Sequence, residues 1–143
     1  MFLRSQAKSK LEYYKKLLRS VASLSNLFSE APEPYHASRA TENLFCKVFE
    51  ADDLSRSDVS ADASKNRMFF AIKTFLDKNG RTMQKIAEFN KDHMSFGSLA
   101  LKKKIIKIAE LRNERIDTTK RIYKLESLIY HCITRRVNRI LIY

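Results

Sequence analysis

The chain has 143 residues, of which 44% are hydrophobic and 31% are charged, a composition typical of one globular domain. Its 28 Lys and Arg residues against 16 Asp and Glu residues give a formal net charge of +12, which favours nucleic acid as a partner. Two glycines exclude a glycine-rich nucleotide-binding loop, and three histidines without zinc-site spacing argue against a structural zinc centre.

Membrane and disulfide signals are both weak. No apolar run approaches the length of about 18 residues that a membrane-spanning helix needs, so we expect no membrane partner. The only two cysteines, Cys46 and Cys132, do not indicate a disulfide framework. The sequence therefore predicts a reduced, cytoplasmic protein.

Helical periodicity dominates the first fifty residues. Leu11, Tyr14 and Leu18 recur at helical spacing among lysines and predict a helix over residues 6–29. We treat residues 1–30 as an N-terminal basic helix, followed by a Pro-containing linker. A core domain is predicted over residues 36–143, and its first helix is expected over residues 38–51.

The middle of the chain changes to β patterning. Residues 68–75 are rich in aromatic and β-branched side chains and predict a strand. The segment from Asp77 to Gly80 is a strong turn signal, so residues 83–89 are predicted as the return strand of a β-hairpin. A helix over residues 82–91 is the competing assignment.

The remaining residues predict a helix followed by two strands. The helix is expected over residues 96–116 and the strands over 127–134 and 137–143, joined at Arg135 and Arg136. The whole order predicts an α+β fold, close to α/β, with a sheet flanked by helices. Because the chain stops inside an apolar run, we also expect that it is a truncated product or fragment.

The spacing of three polar residues suggests hydrolytic chemistry. With an even-length hairpin loop, Lys73 and Glu88 become diagonal neighbours on one face, about 7–8 Å apart. Gln84 shares that face, whereas a loop one residue longer or shorter would put Lys73 and Glu88 on opposite faces. Asp62 lies eleven residues before Lys73, within reach of a strand beside the hairpin.

Two carboxylates and one lysine are the smallest set of side chains that supports metal-dependent hydrolysis of a phosphodiester bond. Asp62 and Glu88 would hold Mg²⁺, a cation that prefers oxygen ligands, and the metal would activate water. Lys73 would stabilise charge on the phosphate or act as a base. Glu42 could tune this site from the preceding helix.

Five short stretches together resemble a type II restriction endonuclease of the PD-(D/E)XK nuclease superfamily. They are SDVSADA, IKTF, QKIAEFN, LRNERI and YHCITR, at residues 57–63, 72–75, 84–90, 111–116 and 130–135. The resemblance covers roughly residues 36–140. It implies a restriction-endonuclease-like αβββαβ core with a mixed sheet and Mg²⁺-dependent cleavage of double-stranded DNA.

The superfamily pattern can be carried over only in part. By position, Asp62 matches the first metal-binding aspartate and Lys73 the catalytic lysine. Ala61 stands where the pattern has proline, and Ala71 stands where it has an acidic residue two before the lysine. Glu88 is our candidate for a displaced carboxylate. A second alignment reads residues 88–90 as a degenerate E-x-K motif, with Asn90 in the lysine position.

Several basic residues are candidates for DNA contact: Lys102, Lys103, Arg112, Arg115, Arg135 and Arg136. A homodimer is also expected, because palindromic DNA sites are usually read by two-fold assemblies. Two alternatives remain open. The chain could be a non-catalytic basic nucleic-acid-binding module, or an inactive, truncated nuclease remnant.

Overall fold

The computed structural model describes residues 2–55, 59–77 and 87–143, except the side chains of residues 87 and 88. The described part is α+β, which confirms the predicted class. The helices are α1 (Lys8–Ser23), α2 (Ser38–Phe49), α3 (His93–Phe96) and α4 (Leu101–Tyr123). The strands are β1 (Asp52–Asp53), β2 (Ala63–Lys65), β3 (Met68–Leu76), β4 (Ser127–Arg136) and β5 (Arg139–Ile142). Short 3-10 helices lie at Phe2–Ser5, Ser25–Leu27 and Ala87–Asp92.

The strands form one mixed sheet in the order β1-β2-β3-β4-β5. The first three are successive antiparallel neighbours, β3 and β4 are parallel, and β5 returns antiparallel to β4. A parallel pair requires a crossover connection, and α4 lies within it. Lys73 is opposite Cys132 and Ala71 is opposite Tyr130, so these four residues share one face of the sheet.

Helices cover both faces of the sheet. The face that carries Phe70, Ile72 and Ile133 packs against α1 and α2 and forms the main core. The other large side chains of this core are Phe2, Tyr14, Leu18, Phe45, Val48 and Phe49. On the opposite face, Phe69 packs with Leu128 and with Ile116 of α4. Because side chains alternate along a strand, Lys73 lies on the α4 face.

The predicted helices are present with shifted boundaries. The first helix ends at Ser23 rather than at residue 29, and a 3-10 turn follows it. The second ends at Phe49, because Glu50 takes a left-handed conformation with φ of 52° that stops the helix. The third extends beyond the predicted residue 116 to Tyr123.

The strands on both sides of α4 confirm the β patterning at residues 68–75 and in the C-terminal segment. The turn between the last two strands falls at residues 137–138 instead of at Arg135 and Arg136. Asn138 has a φ of 56°, a conformation that asparagine tolerates better than most residues.

The predicted return strand of the hairpin is wrong at residues 87–89. Ala87–Asp92 is a 3-10 helix, and the rest of the predicted strand, residues 83–86, lies outside the described part. In the described part, β4 runs along the whole of Met68–Leu76, and β2 pairs with its first three residues. The described strand that pairs with β3 over its whole length is therefore a distant one, β4.

Candidate active site

Asp62 and Lys73 form the centre of the candidate site. Asp62 lies just before β2, and its backbone is fixed on both sides: its N–H donates to Phe70 O at 2.8 Å, and its C=O accepts from Leu54 N at 3.0 Å. Its Oδ2 accepts a hydrogen bond of 3.1 Å from Lys73 Nζ and one of 2.7 Å from Ile72 N. The structure therefore brings together two of the three residues that the sequence predicted.

This ion pair remains accessible to solvent. The side chains of Lys73 and Asp62 are 28% and 18% exposed. Both described hydrogen bonds to the Asp62 carboxylate end on Oδ2. Ile72 N and Lys73 Nζ together hold the Asp62 carboxylate in a fixed orientation through this oxygen.

Glu42, the residue predicted to tune the site, lies on α2. The residue is buried, and burial raises the pKa of its carboxyl group; the charge of Asp62 adds to this rise, whereas Arg39 and Lys73 oppose it. The one described contact of the Glu42 carboxylate is with Arg39, at 3.5 Å from Oε2 to Nη1. Glu42 lies on the preceding helix, as the sequence predicted, and its role in tuning the site stays a prediction.

Two further charged residues border Glu42. Arg39 Nη2 donates to Asp53 Oδ2 at 2.8 Å, and Arg39 Nη1 lies 3.5 Å from Glu42 Oε2. Sequence reasoning missed both Arg39 and Asp53. The spacing of Arg39 and Glu42, three residues apart on one helix, was the available signal, since residues at this spacing face each other. No local sequence pattern marks Asp53, which is the last residue of the short strand β1.

Glu88 does not occupy the predicted hairpin position. Its backbone belongs to the 3-10 helix Ala87–Asp92, so the proposed diagonal relationship with Lys73 across two paired strands is wrong. The side chain of Glu88 and the whole of Gln84 lie outside the described residues, so their roles stay predictions. Asn90 is exposed in the same 3-10 helix.

Four of the predicted DNA-contacting residues lie on α4: Lys102, Lys103, Arg112 and Arg115. Lys102 and Lys103 are exposed in the first turn of α4. Arg112 Nη2 donates to Tyr130 Oη at 3.2 Å, with its guanidinium 6.0 Å from the ring centroid. Arg115 lines a cavity of about 310 Å³ between α4 and the 3-10 helix that contains Phe89.

The two arginines at the end of β4 have protein partners. Arg135 is partly buried, its Nη1 donates to Pro34 O at 3.1 Å, and burial lowers its pKa. By strand alternation it lies on the sheet face opposite Lys73. Arg136 is exposed, and its Nε donates to Asp77 Oδ2 at 2.7 Å.

Among the described residues, no group of three or more His, Cys, Asp or Glu side chains is arranged to hold a metal ion. Within the same residues, no helix is long and apolar enough to cross a membrane. Comparison with protein families, with curated proteins and with solved structures found no match.

Proposed function

We propose that this protein is a Mg²⁺-dependent endonuclease that hydrolyses phosphodiester bonds in double-stranded DNA, of the type II restriction class. The observation that carries the proposal is the contact of 3.1 Å between Lys73 Nζ and Asp62 Oδ2. Asp62, just before β2, and Lys73, on the adjacent strand β3, are the two residues that best match the PD-(D/E)XK pattern. The proposal extends to a cytoplasmic homodimer, and two free cysteines suit a reducing compartment.

The order of the elements supports the same proposal. From α2 the described elements are β1, β2, β3, the 3-10 helix Ala87–Asp92, the four-residue helix α3, α4 and β4. Without the two short helices before α4, this is an αβββαβ order. The superfamily resemblance implies this order around a mixed sheet. Asp62 directly precedes β2 and Lys73 lies on β3, which supports matching them to the first aspartate and the lysine of the pattern.

The residues present suit a magnesium ion in their chemistry. Mg²⁺ binds carboxylate oxygens and keeps several waters, so one or two carboxylates are enough. Asp62 is the described carboxylate that could hold it, and Glu88 remains the predicted second ligand. A bound Mg²⁺ would neutralise charge on the phosphate and acidify a water molecule.

The chain's own groups prepare the site. The backbone N–H of Ile72 and the Lys73 ammonium orient Asp62 before any ligand arrives. Lys73, partly exposed, presents positive charge where negative charge develops on the scissile phosphate. The surplus of twelve positive charges attracts the DNA backbone, and Lys102, Lys103 and Arg112 are the proposed contacts.

The test is cleavage of a supercoiled plasmid. We expect nicked or linear DNA with Mg²⁺, and none with EDTA, Lys73→Ala or Asp62→Asn. Lys10→Ala is the matched control, because Lys10 also forms an ion pair, with Glu50 at 2.8 Å, but on α1. That variant should cut normally.

Two other results would replace the proposal. Salt-sensitive DNA binding without cleavage would favour a non-catalytic nucleic-acid-binding module. A protein that neither binds nor cuts DNA would favour an inactive remnant of a nuclease.

A further inference from the structure

A groove with an apolar floor runs between α1 and β5, the last strand in the order of the described sheet. It consists of two adjoining cavities that share two lining residues. The first has a volume of about 260 Å³ and is lined by Lys15, Leu18, Arg19, Ile140, Leu141 and Ile142. The second has a volume of about 180 Å³ and is lined by Leu3, Arg4, Leu11, Tyr14, Lys15 and Ile142. We propose that this edge groove binds an extended peptide segment of a partner protein, with acidic residues on both sides of an apolar centre, as an additional strand beside β5.

The outer edge of β5 directs backbone groups away from the sheet. Cys132 and Tyr143 exchange two backbone hydrogen bonds, of 3.0 and 2.8 Å. In an antiparallel ladder, a pair of this kind alternates with a pair that makes no hydrogen bond. Ile142 and Ile140 belong to the second kind of pair, so their N–H and C=O groups point away from β4. Such groups on an outer strand are a template for a further strand.

The position and length of the groove suit a short extended segment. Successive side chains of a strand point to opposite faces, so a cavity lined by Ile140, Leu141 and Ile142 lies at the edge of β5 rather than over one face. The groove follows α1 from Leu11 to Arg19, which is about 12 Å at the rise of an α-helix. An extended chain covers this distance with about four residues.

Charge determines which kind of segment fits. Among the described residues, the lining carries three basic side chains and no carboxylate: Arg19 lies at one end, Arg4 at the other and Lys15 between them. Lys15 also contacts Glu12 at 2.8 Å, in an exposed ion pair that a ligand carboxylate can replace. The leucine and isoleucine side chains between these cations form pockets for apolar side chains of the added strand.

A second copy of the chain fits this edge less well. Antiparallel pairing of two β5 strands would put both α1 helices on one face of the joined sheet, with Lys15 and Arg19 of each chain at the junction. Juxtaposed like charges cost free energy, whereas acidic side chains of a partner are attracted. The groove lies on the α1 face of the sheet and Lys73 lies on the α4 face, so this inference is independent of the proposed function.

The experiment measures the fluorescence anisotropy of a labelled heptapeptide, with two glutamates on each side of three valines, titrated with the 143-residue chain. We expect saturable binding. The same peptide with lysines in place of the glutamates should bind at least about 10-fold more weakly, because like charges repel. The glutamate peptide with methylated backbone nitrogens should also bind at least about 10-fold more weakly, because it cannot donate hydrogen bonds to β5.

Two matched pairs of substitutions test the basic ends of the groove. Arg4→Gln combined with Arg19→Gln should weaken binding of the glutamate peptide about 10-fold, the scale of two exposed ion pairs. Lys8→Gln combined with Lys16→Gln removes the same charge from exposed positions of α1 outside the described lining. This control should leave the affinity unchanged.

Four results would overturn the proposal. If the glutamate peptide does not bind, the groove is not its site, and sedimentation of the wild-type chain as a dimer would then indicate a second copy at this edge. Equal binding of the methylated peptide would exclude strand addition. Equal losses in the two pairs of substitutions would show attraction by net charge alone. If Arg4→Gln with Arg19→Gln weakens binding of a DNA duplex by the same factor as binding of the peptide, the groove belongs to nucleic acid.

Discussion

Tyr14 on α1 and His131 on β4 are 117 residues apart in the chain and share a buried hydrogen bond, 2.9 Å between Tyr14 Oη and His131 Nε2. Phe45 packs against both rings, at centroid distances of 6.3 Å from Tyr14 and 5.0 Å from His131. The bond satisfies two polar groups inside an otherwise apolar core. It ties the N-terminal helix to the centre of the sheet.

Tyr14→Phe should destabilise the fold by about 1–3 kcal/mol, because it leaves the His131 ring nitrogen buried without its partner. The free energy of unfolding in urea measures the effect. Tyr13→Phe is the matched control, since Tyr13 is 48% exposed, and it should change the stability by less than about 0.5 kcal/mol. Equal stability of the two variants would contradict a structural role for the Tyr14 hydroxyl.

Stability should fall as the pH is lowered from about 6.5 to 4, and two buried histidines contribute to the fall. Burial lowers the pKa of His131 to about 4, and burial together with the charge of Arg135 lowers the pKa of His36 to about 4. In the unfolded chain each titrates near 6.5, so the unfolded state binds more protons in this range. The stabilisation is complete above pH 6.5 and is lost toward pH 4, at most about 3 kcal/mol for each histidine.

Urea unfolding at several pH values measures this dependence. His93→Gln is the control, because His93 is exposed, and it should keep the wild-type slope. His36→Gln should reduce the slope. An unfolding free energy that stays constant or rises between pH 6.5 and 4 would show that the two rings are not buried in the neutral form.

Lys73→Met should separate activity from stability. The pair with Asp62 is partly exposed, and Asp62 keeps its hydrogen bond from Ile72 N, so the loss in stability should stay within about 1 kcal/mol. DNA cleavage should fall at least about 100-fold, the scale expected on removing one group that stabilises developing charge. Thermal unfolding and plasmid cleavage measure the two effects, and a variant that unfolds early but retains full specific activity would rule out a catalytic role.

Thr119→Val should weaken the contact between α4 and the segment that precedes Asp62. Thr119 is 2% exposed, and its Oγ1 accepts from Ser60 N at 3.1 Å while donating to Arg115 O at 2.9 Å. Valine keeps the shape but removes the acceptor, so we expect a loss of about 1–3 kcal/mol.

Thr118→Val is the matched control, because the Thr118 hydroxyl accepts an exposed hydrogen bond from Arg121. This variant should change the free energy of unfolding in urea by less than about 0.5 kcal/mol. If both threonine variants have the same midpoint, the Ser60–Thr119 hydrogen bond does not contribute to stability.

Local patterns predicted most of the elements. Alternating and β-branched residues identified β3 and β4, and helical spacing identified α1 and α2, because burial on one face imposes a fixed period on the sequence. The same patterns predicted an Asp62–Lys73 neighbourhood, since both residues lie close together in the chain on either side of one tight turn.

Boundaries and pairings were less predictable. The second helix ends at Phe49 because of the backbone conformation of Glu50, which no propensity marks. The hairpin prediction failed at residues 87–89, because a turn signal says that the chain reverses but not which strand will pair. The nine-residue parallel contact between β3 and β4 depends on a strand about sixty residues away.

By itself, the sequence determined the α+β class, the basic character and the identity of the best site candidates, Asp62 and Lys73. Only the tertiary structure decided that β4 lies beside β3, that Arg39 bridges Asp53 and Glu42, and that Tyr14 meets His131. The physical reason is the distance along the chain over which a sequence pattern carries information. Periodicity is a local pattern, and it shows only which side of a helix or strand is buried. Contacts between distant elements depend on how the buried faces of the helices and the sheet pack together. No local pattern in a single sequence shows which of these faces will meet.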